Sequence, residues 1–145
     1  MITFADLPVL FTDRLAGMRA LTAEGVLRPY RALTGLETKV VLVLLAAFND
    51  RKATAYKNRE GNIVHAHCGE LTHDDIYEYM RGVNGHADSS GSIRRRVSEL
   101  AYGNYRGTTH KAAVINAREL TDHARGTVNV FSVRIPVGYG QLSLF

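Results

Sequence analysis

The chain has a single cysteine, Cys68, among 145 residues. One thiol excludes an internal disulfide framework and suits a reducing cytosol. Long hydrophobic runs are also missing. The longest, residues 40–48 (VVLVLLAAF), is about half of the roughly 20 residues that a membrane span requires. The opening MITFADLPVLF has no basic start and no small-residue cleavage site, so no secretory leader is expected. No internal repeat or low-complexity tract is present. No GxxxxGK[ST] loop occurs, which argues against ATP-driven loading or helicase work. Nor is there a defensible Ser/His/Asp arrangement.

What is present describes a globular chain. Hydrophobic residues make up 46% and charged residues 22%, too apolar for disorder. The length suits one domain with a real core. Net charge is +4, unevenly spread. From Ile93 onward, eight Lys/Arg face three acids, whereas residues 1–92 hold ten bases and eleven acids. A polyanion, nucleic acid first, is the expected partner of the basic third, with a solvated basic surface as the alternative.

Hydrophobic spacing suggests the elements. Residues 1–35 read as one or two helices broken near Pro29, able either to pack on the core or to form a homodimer contact. Residues 38–49 are apolar nearly all round and should form a central buried helix. Residues 53–71 read as a hairpin, with strands at 53–56 and 62–66. Thr72 caps a further helix, with Asp74 and Asp75 in its first turn and Gly82 as its stop. A turn over 83–88 leads to SSGSIRRRVSELA, a helix capped by Ser89, Ser90 or Ser92. Its core stripe is Ile93, Val97, Leu100 and Ala101. Arg94, Arg95 and Ser98 lie opposite, and Arg96 lies at the flank. Strands follow over 111–118 and 127–135, separated by LTDHARG. The second does not alternate cleanly, so it expects either a bulge near Phe131 or burial on both faces.

This order resembles a winged helix-turn-helix domain over about residues 36–135, on GLETKVVLVLLAAFND, LTHDDIYEYMRG, SSGSIRRRVSELAYG and HKAAVINAR…TVNVFSVRI. GLETKVVLVLL with xRRRVSEL also resembles the DNA-binding domains of phage and plasmid replication proteins. The resemblance implies an α+β fold with a helical core and a β-wing, extended by one or more N-terminal helices. It implies three regions: 1–35 as extension, 36–137 as winged-helix domain, 138–145 as tail. It also implies that the third helix enters the major groove while the wing tip follows the backbone or the minor groove. The chain departs from that pattern in two places: the turn before the third helix exceeds the usual length of about 3–4 residues, and AYGNYRGTTH lengthens the approach to the wing.

The residues themselves agree with double-stranded DNA as partner. Ser90 and Ser92 at a helix start, with Arg94 and Arg95 outward, can donate to phosphates and reach guanine edges, and Ser98 is a DNA-binding candidate on the same face. The loop 121–126, with His123 and Arg125, suits a backbone contact that positions without reading sequence, and Arg106 and Lys111 are further DNA-binding candidates. RNA remains open.

The sequence closes on GYGQLSLF. Gln141, Leu142, Ser143, Leu144 and Phe145 resemble the pentapeptide by which bacterial proteins bind the sliding clamp, the polymerase beta subunit. The resemblance implies that Gln141 hydrogen-bonds at one end of a surface pocket and that Leu144 and Phe145 fill a hydrophobic cleft. Each apolar side chain could contribute about 1.5–3 kcal/mol before ordering costs. Gly138 and Gly140 would loosen the tether, and the peptide is expected at a free end. The alternative is a terminal strand, since Leu142 and Leu144 alternate with Gln141 and Ser143.

A cluster of His65, His67, Cys68 and His73 has zinc-ligand residue types without a closed-site spacing. Surface histidines and a small buried thiol fit it better. Asp74, Asp75 and Glu78 could suggest a nuclease, but helix capping explains them more simply. No metal or cofactor is therefore expected.

Three functions compete. One is a non-enzymatic adaptor that holds DNA and the clamp in a bacterial cytoplasm, of phage or mobile-element origin. The second is a winged-helix transcriptional regulator. The third is a clamp-blocking inhibitor of host replication.

Overall fold

A helix with no polar residue between Lys39 and Asn49 must be covered on every side. In the computed structural model, α3 (Gly35–Asn49) is so covered, with every residue from Val40 to Ala47 at 0% exposure. The structure describes residues 1–26, 33–83, 88–105, 108–109 and 114–134. Helix α3 begins earlier than the apolar run suggests because Thr34 and Glu37 form a capping box. The Thr34 amide donates to Glu37 Oε1 at 3.0 Å, and the Glu37 amide donates to Thr34 Oγ1 at 3.4 Å.

The chain is α+β. A 3-10 turn (Phe4–Asp6) leads to α1 (Leu7–Thr12) and α2 (Arg14–Ala23). The break between these helices falls at Asp13; the break expected near Pro29 lies outside the described residues. The Asp13 carboxylate accepts the amides of Leu15 and Ala16 at 3.0 and 3.1 Å, which starts a new helix at once. This segment packs on α3. Leu7, Leu21 and Val26 join the main core, the rings of Phe4 and Tyr79 stack at 4.7 Å, and Asp50 accepts the Phe4 amide at 2.9 Å.

After α3 come the antiparallel pair β1 (Ala55–Lys57) and β2 (Ile63–His65), then α4 (His73–Arg81) and α5 (Ser90–Tyr102). Thr72 caps α4 and Gly82 ends it. Helix α5 ends at Gly103, whose φ of 67° closes the last turn in a left-handed conformation that glycine adopts without steric cost. A short pair not anticipated from the sequence, β3 (Asn104–Tyr105) with β4 (Thr108–Thr109), follows. The last hairpin pairs β5 (Ile115–His123) with β6 (Gly126–Val133).

Strand β5 runs further than expected, through residues read as loop. Only Ala124 and Arg125 separate it from β6. The irregularity in the hairpin lies between Leu120 and His123, not near Phe131. Burial on both faces accounts for the broken alternation of β6. Phe131 enters the main core, while Val130 packs with Ala66 and Leu120 in a second cluster beneath the first hairpin. Backbone bonds join the layers, with Leu71 and Phe131 exchanging amide bonds of 2.9 and 2.8 Å. Among the described residues, no helix is long and apolar enough to cross a membrane.

Candidate nucleic-acid interface

Helix α5 is strongly two-faced. Ile93, Val97, Leu100 and Ala101 are buried, and Ser90, Gly91, Ser92, Arg94, Arg95 and Tyr102 are exposed, with Ser98 half-buried between them. Ser89 is the cap. Its Oγ accepts the Ser92 amide at 3.1 Å and donates to Ser92 Oγ at 3.0 Å. Ser90 and Ser92 are thus in the exposed first turn, where the helix dipole favours an anion, and neither serves as the cap.

The three arginines of RRR differ in their surroundings. Arg94 is exposed and lies 3.6 Å from Asp74 at the start of α4. Arg95 is exposed beside it. Arg96 turns to the flank and holds Glu99 in an i,i+3 pair at 2.8 Å, half-buried. Tyr102 continues the outward stripe. It is 57% exposed, and it stands four residues after Ser98 and seven after Arg95. The same periodicity that singled out Arg95 and Ser98 identifies it, although the sequence reading overlooked it.

At the far hairpin, Arg125 is exposed in the turn and His123 is half-buried. His123 Nδ1 accepts the Arg125 amide at 3.0 Å, and the His123 ring stacks on Tyr56 at 5.3 Å with planes 6° apart. Tyr56 in turn donates its hydroxyl to Asp122 at 2.8 Å. That hydrogen bond, then burial and the Asp122 charge, raises the Tyr56 pKa above its ordinary value. His123 is therefore part of the support of the tip as well as of its surface. Arg106, Lys111 and the tail Gln141, Leu142, Ser143, Leu144 and Phe145 lie outside the described residues.

Arg118, one of the basic residues of the last third, is engaged internally. It grips the buried Glu70 carboxylate through two bonds of 2.8 and 2.7 Å. Burial pushes the Glu70 carboxyl up, but the Arg118 hydrogen bond, the His67 amide and the Arg118 charge together outweigh it and hold it below the ordinary range.

The histidine cluster is dispersed. His65 ends β2, and His67 and Cys68 stand beyond the strand in a turn. Cys68 is exposed rather than buried, and its thiol donates to the Phe48 carbonyl at 3.7 Å. His73 is half-buried edge-on to Phe131 at 4.6 Å, and its Nδ1 has no hydrogen-bond partner. Burial first, then the charge of Arg94, lowers its pKa to about 4. Among the described residues, no three His, Cys, Asp or Glu side chains are grouped to hold a metal ion.

The Asp74, Asp75 and Glu78 set divides similarly. Asp75 accepts the buried Thr54 hydroxyl, Asp74 faces Arg94, and Glu78 is exposed. No protein-family description matches the chain, and no curated protein or solved structure is significantly similar to it.

Proposed function

We propose that this chain is a non-enzymatic DNA-binding protein with a winged helix-turn-helix domain, in which α5 enters the major groove and the β5–β6 hairpin acts as the wing. The observation that carries this reading is the outward face of α5. Arg94 and Arg95 are exposed on a helix whose other face, Ile93, Val97, Leu100 and Ala101, is buried. Such a helix presents guanidinium groups to guanine edges or phosphates while its other face anchors it. The order of helix, hairpin, helix, helix and hairpin, and the exposed Arg125 turn, further support it.

The test is duplex DNA binding by fluorescence anisotropy over a range of salt. Arg94→Ala, Arg95→Ala and Arg125→Ala together should weaken binding and flatten the salt dependence, by a slope of up to about 2.7 if all three meet phosphates. Unchanged affinity and slope in the folded triple variant would overturn the reading.

The second half of the proposal is that residues 141–145 engage a bacterial sliding clamp, which makes the protein an adaptor of phage or mobile-element type. This half rests on the QLSLF resemblance. Clamp and encircled DNA would then act as two linked sites that strengthen each other. Calorimetric titration of the full chain, and of the chain truncated after Gly140, into the clamp tests it. Binding by the full chain alone is the expected result. Binding by neither, with the truncated chain folded, would remove the adaptor role.

A further inference from the structure

Lys57 and Arg59 belong to the part of the chain whose acids and bases nearly cancel, and nothing local marks them as functional. The fold carries them to the far hairpin. The Arg59 amide donates to the Asp122 carbonyl at 2.9 Å, and the Ala124 amide donates to the Lys57 carbonyl at 2.9 Å. Asn58 and His123 form a bridge between these bonds. The Tyr56–His123 stack and the Tyr56–Asp122 hydrogen bond, across 66 residues of sequence, fasten the same junction. The two hairpin tips are thus one structural unit. Lys57, Arg59 and Arg125 are all exposed on it, and among the described residues none of the three is ion-paired.

We propose that the joined tips form a single phosphate-binding platform, in which Lys57 and Arg59 of the first hairpin act with Arg125 of the second on the backbone of duplex DNA. The proposal rests on the DNA-binding reading above and extends it to a hairpin outside the third helix and wing. Charge complementarity names the partner. Two acids stand nearby: Asp122 is occupied as the acceptor of the Tyr56 hydroxyl, and Glu60 is exposed in the turn of the first hairpin. The cations therefore outnumber the acids at the tips. They also sit on backbone held by cross-hairpin bonds, which spares much of the ordering cost of a mobile basic loop. Such contacts fix position and carry no sequence preference.

The experiment compares the full chain with Lys57→Ala/Arg59→Ala and with Arg94→Ala/Arg95→Ala, on two unrelated duplexes and over a salt series. Circular dichroism melting checks folding, and Lys57→Gln/Arg59→Gln serves as a second neutral pair. The expected result is a loss of about tenfold near physiological salt and a slope shallower by about 2 for either neutral pair, equal on both duplexes. Lys57→Arg/Arg59→Lys should restore both. If the neutral pairs bind as the parent does while Arg94→Ala/Arg95→Ala weakens binding, the platform is wrong and the DNA reading stands. If the hairpin pair weakens binding and the helix pair does not, the platform stands and the role of α5 falls. Absence of duplex binding by the unaltered chain overturns both.

Discussion

The guanidinium of Arg94 on α5 lies 3.6 Å from the carboxylate of Asp74 on α4, and both side chains are largely exposed. A carboxylate there competes with any phosphate that Arg94 would meet. An exposed pair of this kind contributes only about 0.2–1 kcal/mol to folding. Asp74→Asn should therefore leave the melting temperature nearly unchanged and tighten duplex DNA binding by roughly two- to fivefold, through the loss of competition and of like-charge repulsion. Anisotropy titration at low salt measures it. Weaker binding by the variant would mean that the pair orients Arg94 for contact.

Tyr102 extends the outward face of α5 and is 57% exposed. Tyr102→Ala should not lower stability by more than about 0.5 kcal/mol, as for a surface substitution. It should weaken duplex binding by roughly three- to tenfold if its ring or hydroxyl meets sugar, phosphate or a base. Thermal melting and anisotropy separate the two effects.

Glu70 joins the turn after β2 to β5 through its two bonds with Arg118. Glu70→Ala should cost about 2 kcal/mol, toward the low end for charged hydrogen bonds because the Arg118 side chain is 41% exposed and stays hydrated. The carboxyl titrates below its ordinary value when folded. Its contribution is therefore complete above the unfolded carboxylate pKa and is lost as pH falls through the lowered one. Urea unfolding at neutral and acidic pH should show the variant closest to the parent in acid.

His73 works in the same direction by another route. Its folded pKa is about 4 against an ordinary 6.5. Above the ordinary value both states are neutral. Between the two values the unfolded chain binds the proton and the folded chain does not, so stability falls as pH drops through that window. His73→Phe should flatten the urea midpoint between pH 6.5 and about 4. A midpoint that still falls by the same amount would assign the acid lability to other groups.

Gly69 has a φ of +81°, and a Cβ there would stand 3.1 Å from the Phe48 Cα. Gly69→Ala meets both backbone strain and the wall of α3, and should cost about 1–3 kcal/mol. Chemical denaturation reads it directly.

Periodicity and capping residues by themselves determined the types of α3, α4 and α5 and of the two longer hairpins, the burial of α3 and the two faces of α5. Those features are local: a repeat near 3.6 reports which side of a helix is apolar, and Thr34, Asp13 and Ser89 act on amides two or three residues away. The limits of β5 and the place of the hairpin irregularity were not legible, because strand pairing is set by a partner segment and its register. The candidate interface divides along the same line. Arg94, Arg95 and Ser98 follow from helical spacing, and Tyr102 was readable from it. Only tertiary structure paired Arg118 with Glu70, placed Asp74 against Arg94, left Cys68 exposed and joined the backbone at Lys57 and Arg59 to that at Ala124 and Asp122. Each of those outcomes depends on groups distant in sequence that meet only when the hairpins dock on a shared core, and a local pattern carries no information about which charges that docking will bring together.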